Sequence, residues 1–232
     1  MMPGLKEKIE ANGYWRLNIR PRVVPEQMLS FAQCESVVET ASVRLRGWDF
    51  PHISRRLDAT HGYQRANDFI ENWIDWEVHV EFWRMYRSSQ FITYRALWED
   101  LDEKQYNGRP RPEGKALSVG SAIYTVTEAF ELAYRLAKGG LYEDGATVLL
   151  SLENTYHRQL WVNEPSRMPF YEEKRTGSQR IEITRSLTKA SLEAADHTLS
   201  LEVLQELFGY FGWDVAIATI SAQQTRFLNR QF

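Results

Sequence analysis

The chain has a single cysteine in 232 residues, Cys34. An intramolecular disulfide is therefore excluded, and a zinc site built on thiolates has no ligand set; Cys34 itself reads as a small buried thiol. No run reaches the roughly 20 apolar residues of a membrane-spanning helix. The first ten residues, with Lys6, Glu7, Lys8 and Glu10, lack the apolar core of a secretory signal. The expectation is a cytoplasmic chain with no membrane partner. Charge of one sign is also missing. A formal net charge of −3 excludes a surface coated with basic groups for duplex DNA and leaves room only for a local basic patch. Gly139-Gly140 runs into Leu141-Tyr142 without the Lys-Ser/Thr of a phosphate-binding loop, and His52, His61, His79, His157 and His197 form no HExxH or HxxxH spacing. Neither a metal nor a cofactor is expected. Internal repeats, heptads and low-complexity tracts are absent from the sequence.

What is present reads as alternating strands and amphipathic helices. Residues 14–20 alternate Trp15, Leu17 and Ile19 against Arg16, Asn18 and Arg20, which marks a half-buried strand stopped by Pro21. Pro25 opens a helical stretch to about Ala41, and residues 43–50 alternate again, with Val43 and Leu45 opposite Arg44, Arg46 and Trp48. Residues 73–86 carry the clearest alternation, with Trp76, Val78, Val80 and Phe82 on one face and Glu77, His79, Glu81 and Trp83 on the other. A turn at 87–90 leads into a return strand over 91–98. Residues 101–115 are polar and interrupted by Gly and Pro, a loop that separates a mainly β part (1–100) from an α+β part (116–232) of what reads as one compact unit. Residues 118–138 have the strongest helical stripe, closed by Gly139-Gly140. Strands over 148–152, 158–162 and 180–187 follow, then helices over 200–211 and 214–229, the last capped by Asp214. Strands joined by short turns predict antiparallel pairing. The fold class is thus α+β: a mainly antiparallel sheet, a long central helix and two C-terminal helices.

Two constellations stand out. If the strand over 43–50 pairs with that over 14–20, Arg16, Arg20, Arg44 and Arg46 share one face with Trp48. That face suits phosphates and a stacked unpaired base, although a solvated sheet face shows the same alternation. Glu77, His79 and Glu81 offer carboxylate and imidazole ligands, but same-face residues stand about 7 Å apart along a strand, awkward for one ion. The basic, proline-rich residues 108–112 could hold a partner or form a stiff exposed loop.

Several runs carry a family resemblance: Gly13-Tyr14-Trp15-Arg16, residues 43–52 (Val-Arg-Leu-Arg-Gly-Trp-Asp-Phe-Pro-His), Ser89-Gln90-Phe91-Ile92 and residues 125–131. Across residues 13–160 the chain resembles an uncharacterised bacterial domain that also occurs behind Schlafen-type nucleic-acid-binding domains. The resemblance implies association with bacterial nucleic-acid-handling or antiviral defence machinery and names no catalytic residue. The expected function is a non-enzymatic binding or adaptor protein with nucleic acid, a protein partner or a second copy of itself as its partner. A small-molecule or nucleotide sensor with an aromatic pocket, and a hydrolase or nuclease with dispersed His and carboxylate residues, are the alternatives.

Overall fold

The computed structural model describes residues 1–102 and 109–230. Its elements run α1 (Leu5–Glu10), β1 (Tyr14–Pro21), α2 (Phe31–Ala41), β2 (His61–Arg65), β3 (Phe69–Trp76), β4 (His79–Tyr86), β5 (Phe91–Ala96), α3 (Trp98–Leu101), β6 (Ala116–Ser118), α4 (Val119–Lys138), β7 (Ala146–Glu153), β8 (Gln159–Trp161), β9 (Arg180–Leu187), α5 (Lys189–Ala194), α6 (Thr198–Gly209) and α7 (Ile217–Leu228). Seven strands form one sheet in the order β2-β3-β4-β5-β1-β7-β9, every neighbouring pair antiparallel, while β6 and β8 form a short parallel pair. The α+β class, the antiparallel sheet, the long helix and the two C-terminal helices are those expected. Among the described residues no helix is long and apolar enough to cross a membrane.

The period-two pattern of β1 decides the layering. Trp15, Leu17 and Ile19 are buried, and they join Val148, Leu150 and Leu152 of β7 and the buried side of α4 in one core. α4 supplies Ala122, Val126, Ala129, Phe130, Ala133 and Leu136, the helical stripe read from sequence. α6 and α7 pack against α4, and α2 covers β3 and β4. On the opposite face, α1 places Leu5 and Ile9 over Trp73, Val80, Phe82 and Ala96 in a second, smaller core.

Four expectations give way. Residues 43–50 are not a sheet strand. β1 is paired along one edge with β5 and along the other with β7, so both of its hydrogen-bonding edges are already occupied. The segment instead closes on itself, Val43 and Phe50 exchanging both backbone hydrogen bonds at 2.8 and 2.9 Å. Its alternation is real, with Val43 and Leu45 buried and Arg44 exposed, but it belongs to a loop. Residues 73–86 are two strands, because Glu77 turns the chain in a left-handed conformation (φ 50°). Trp76 therefore lies directly across from His79, on the face opposite Val80 and Phe82. The helix expected from Pro25 begins at Phe31, where Ser30 and Gln33 form a reciprocal capping box; likewise α7 starts after Ala216, and Asp214 does not cap it. Of the expected loop over 101–115, Leu101 ends α3, residues 103–108 lie outside the described residues, and 109–115 are irregular.

One buried ion pair ties the entry to β1 to the edge of the fold. Arg158 is fully buried and holds Asp100 with two hydrogen bonds, 2.9 and 2.6 Å, and Asp100 also accepts the backbone N–H of Gly13 at 2.7 Å. A third bond from Arg158 reaches the Ala116 carbonyl at 2.5 Å. The guanidinium presses so closely on Gly13 that a Cβ there would fall 2.1 Å from its Nη2. Removing one partner of such a pair leaves the other charge buried alone. Arg158→Met should cost about 3–5 kcal/mol in urea unfolding, and Gly13→Ala should destabilise by pushing the guanidinium off Asp100.

Candidate functional site

The site forms where the loop after α2 lies over the helix-side face of β3, β4 and β5. Val43, Leu45 and Phe50 anchor this loop in the core. Between them the chain projects Arg46 and Trp48 onto the sheet. Arg46 grips the buried Glu128 of α4 with two parallel bonds, Nε to Oε1 at 2.8 Å and Nη2 to Oε2 at 2.5 Å. Arg95 of β5 lies 3.7 Å from Glu128 and 3.7 Å from Glu81, its cross-strand neighbour on β4. The result is an alternating chain of charges, Arg46–Glu128–Arg95–Glu81, with the two carboxylates buried and Arg95 mostly covered. Burial pushes the Glu81 carboxyl up and the Arg95 guanidinium down.

Glu81 also fixes the loop. It accepts the backbone N–H of His52 at 3.2 Å, and Trp83 Nε1 donates to the His52 carbonyl at 2.7 Å. Asp49 accepts from His52 Nδ1 at 2.8 Å. Burial opposes the charge on Asp49, but its hydrogen bonds and the neighbouring His52 outweigh that effect and hold the carboxyl below its usual range. Trp48 stacks on His79 at 4.1 Å with 8° between the planes, on His52 at 4.3 Å, and on Trp76 at 6.1 Å. Burial, reinforced by Arg95, Arg46 and His52, pulls His79 down to about 4, so its ring is neutral at pH 7. The indole nitrogen of Trp48 is buried and has no hydrogen-bond partner among the described residues.

Two cavities open beside this stack and share Trp76. One, about 390 Å³, is lined by Arg46, Trp76, His79, Arg95 and Trp98. The other, about 630 Å³, is lined by Trp48, His52, His61, Arg55, Arg56 and Trp76. A larger hollow of about 940 Å³ lies at the C-terminal end of α4. Arg135 is paired there with Glu131 and Lys189 with Glu143, and the hollow offers no aromatic platform comparable to Trp76.

The five residues expected to share a basic face are divided. Arg46 and Trp48 meet at this site. Arg16 and Arg20 project from the other side of β1, where Arg16 is half-buried over the Tyr94 ring at 5.7 Å and Arg20 is exposed. Arg44 points to solvent from the loop. Glu77 sits in the hairpin turn while Glu81 is committed to Arg95, and among the described residues no three His, Cys, Asp or Glu side chains are grouped to hold a metal. Cys34 is buried. Arg109 and Arg111 of the proline-rich segment bond to backbone carbonyls, including Pro165 and Glu99, which holds that segment against the molecule. Sequence reading missed His61, Trp76, Arg95 and Glu128 as site residues. One signal was available: Asp49-x-x-His52 and Asp58-x-x-His61 repeat the same spacing.

Comparison with protein-family models, curated proteins and solved structures gives no match.

The depressed His79 predicts an acid limb in stability. Between about pH 6.5 and 4 the unfolded chain takes up a proton at this position that the folded chain refuses, so stability falls as pH is lowered through that window. Thermal melts across it should show a steeper loss for the natural chain than for His79→Gln, with the two curves parallel above pH 7.

Proposed function

We propose that this chain is a binding protein for a small ligand that combines an aromatic ring with an anionic group, a nucleotide in chemical class, held in the two cavities around Trp48 and Trp76. The observation that carries this reading is the juxtaposition of a partly exposed indole with guanidinium groups. Trp76 is 42% exposed at the rim that both cavities share, with Arg46 and Arg95 on one side and Arg55 and Arg56 on the other. Aromatic rings offer sequence-tolerant stacking to any base, and arginine is the side chain suited to phosphate oxygens. The neutral His79 ring and Trp48 back this wall without adding charge of their own.

The alternative of an open strip for a nucleic-acid strand required Arg16, Arg20, Arg44 and Arg46 on one surface. With Arg16 and Arg20 across the sheet from Trp48, support shifts from the adaptor to the sensor among the readings the sequence left open. A role beside bacterial nucleic-acid-handling or defence machinery stays compatible with a nucleotide ligand.

Calorimetric titration of the full chain with nucleoside monophosphates tests the proposal. Binding is expected, and Trp76→Ala should weaken it by roughly 5- to 150-fold, the equivalent of about 1–3 kcal/mol for a lost stacking contact. Arg56→Ala should flatten its salt dependence. Absence of heat with every nucleotide, or affinities unchanged by Trp76→Ala, would remove the basis for this reading.

A further inference from the structure

The 630 Å³ cavity holds a feature that ligand recognition alone does not use. His52 and His61 face it together, with ring centroids 6.2 Å apart. Each imidazole has an aspartate three residues earlier in the chain at its Nδ1: Asp49 Oδ1 lies 2.8 Å from His52 Nδ1, and Asp58 Oδ1 lies 3.2 Å from His61 Nδ1, which is closer still to the Thr60 hydroxyl at 2.7 Å. Asp58 is kept ionised by the backbone N–H and hydroxyl of Thr60 and by the backbone N–H of His61, which hold its carboxyl at about 2. An ionised carboxylate only accepts, and the Thr60 hydroxyl already donates to Asp58; the tautomer that satisfies these contacts has Nδ1 of each ring donating and leaves Nε2 for chemistry. Among the described residues neither Nε2 has a protein partner. The side chains are 17% and 15% exposed, shielded yet reachable. Arg56 lines the same cavity and is exposed, and its guanidinium makes no ion pair among the described residues.

Two imidazoles lining one cavity, each with Nε2 unpartnered among the described residues, a guanidinium without an ion pair and an aromatic shelf are the parts needed for acid–base cleavage of a phosphodiester. The two rings are close enough for one tetrahedral phosphoryl group to meet both, with Arg56 available for its non-bridging oxygens and Trp76 for an adjoining base. We infer that His52 and His61 form an acid–base pair that cleaves a ribonucleotide phosphodiester through its own 2′-hydroxyl; the inference rests on the nucleotide-binding reading above and assigns a reaction to the same site. The neutral imidazole removes the 2′-hydroxyl proton as that oxygen attacks phosphorus. The bond from phosphorus to the 5′-oxygen breaks, and the protonated imidazole gives its proton to that leaving oxygen. The products are a 2′,3′-cyclic phosphate and a 5′-hydroxyl. Proton exchange with water restores both rings, and no other reactant is consumed. The internal hydroxyl supplies a nucleophile already held beside phosphorus, which is the largest advantage available to a site without an activated side-chain nucleophile.

The test incubates the purified full chain, in the presence of EDTA, with a mixed set of ribodinucleoside monophosphates and with their 2′-deoxy counterparts. Binding of the deoxy set is measured by calorimetry. The ribo set should yield cyclic phosphate while the deoxy set binds and stays intact. His52→Asn and His61→Asn should each slow cleavage by about 100-fold or more, a loss well beyond any change in deoxy binding measured for the same variants. If ribodinucleotides bind without being cut, or cleavage persists in both variants, or the deoxy set is cut, the acid–base pair is overturned and the binding reading stands. If neither set binds or reacts, both fall together.

Discussion

Two glutamates are buried against the sheet with a mostly covered Arg95 between them, and they are tolerable there only because each charge has a neighbour of opposite sign. Isolated, any one of them would carry a desolvation penalty of several kcal/mol. The alternating order Arg46–Glu128–Arg95–Glu81 meets that demand with partners from four separate segments: the loop after α2, then α4, β5 and β4. The loop follows from this. Arg46 has to reach Glu128, and Glu81 must be satisfied by the His52 N–H, so the residues between them are drawn down onto the sheet. Trp48 and His52 take their positions as a consequence of that closure.

The aromatic stack is the second layer of the same arrangement. His79 shares its strand face with Glu81; burial first, and then the nearby Arg95 and Arg46, disfavour a positive imidazole, and a neutral ring is left to lie flat on Trp48. Stacking and charge pairing support one another here. The ion pairs fix the rings, and the rings exclude water from the ion pairs, which strengthens them. An aspartate hydrogen-bonded to each of two histidines that line one cavity places groups able to carry protons next to groups able to hold an anion.

The hairpin of β3 and β4 shows how small a local feature can redirect a site. A two-residue turn at Glu77 and Val78 moves Trp76 from the side it would share with Val80 and Phe82 to the side of His79. Alternation before and after the turn is unbroken, so the hydrophobic period alone does not reveal it. The cost of a left-handed glutamate is small enough to be absorbed by the paired strands around it.

By itself the sequence determined the class and most of the elements. The period-two run of β1, the stripe of α4 and the strand over Arg180–Leu187 are local patterns, set by which side chains must leave water, and they stand where the alternation puts them. Arg46 and Trp48 were legible as site residues because they are polar and aromatic groups in a short stretch with few acids. Pairing and partnership were decided only in three dimensions. Residues 43–50 have the composition of a strand, yet the edges of β1 were taken by β5 and β7, segments that lie about 75 and 130 residues further along the chain. Nothing in the neighbourhood of Arg46 announces Glu128, and nothing near His52 announces Glu81. Charge neutralisation depends on distance in space, whereas a period in sequence records only the direction in which each side chain leaves its own backbone.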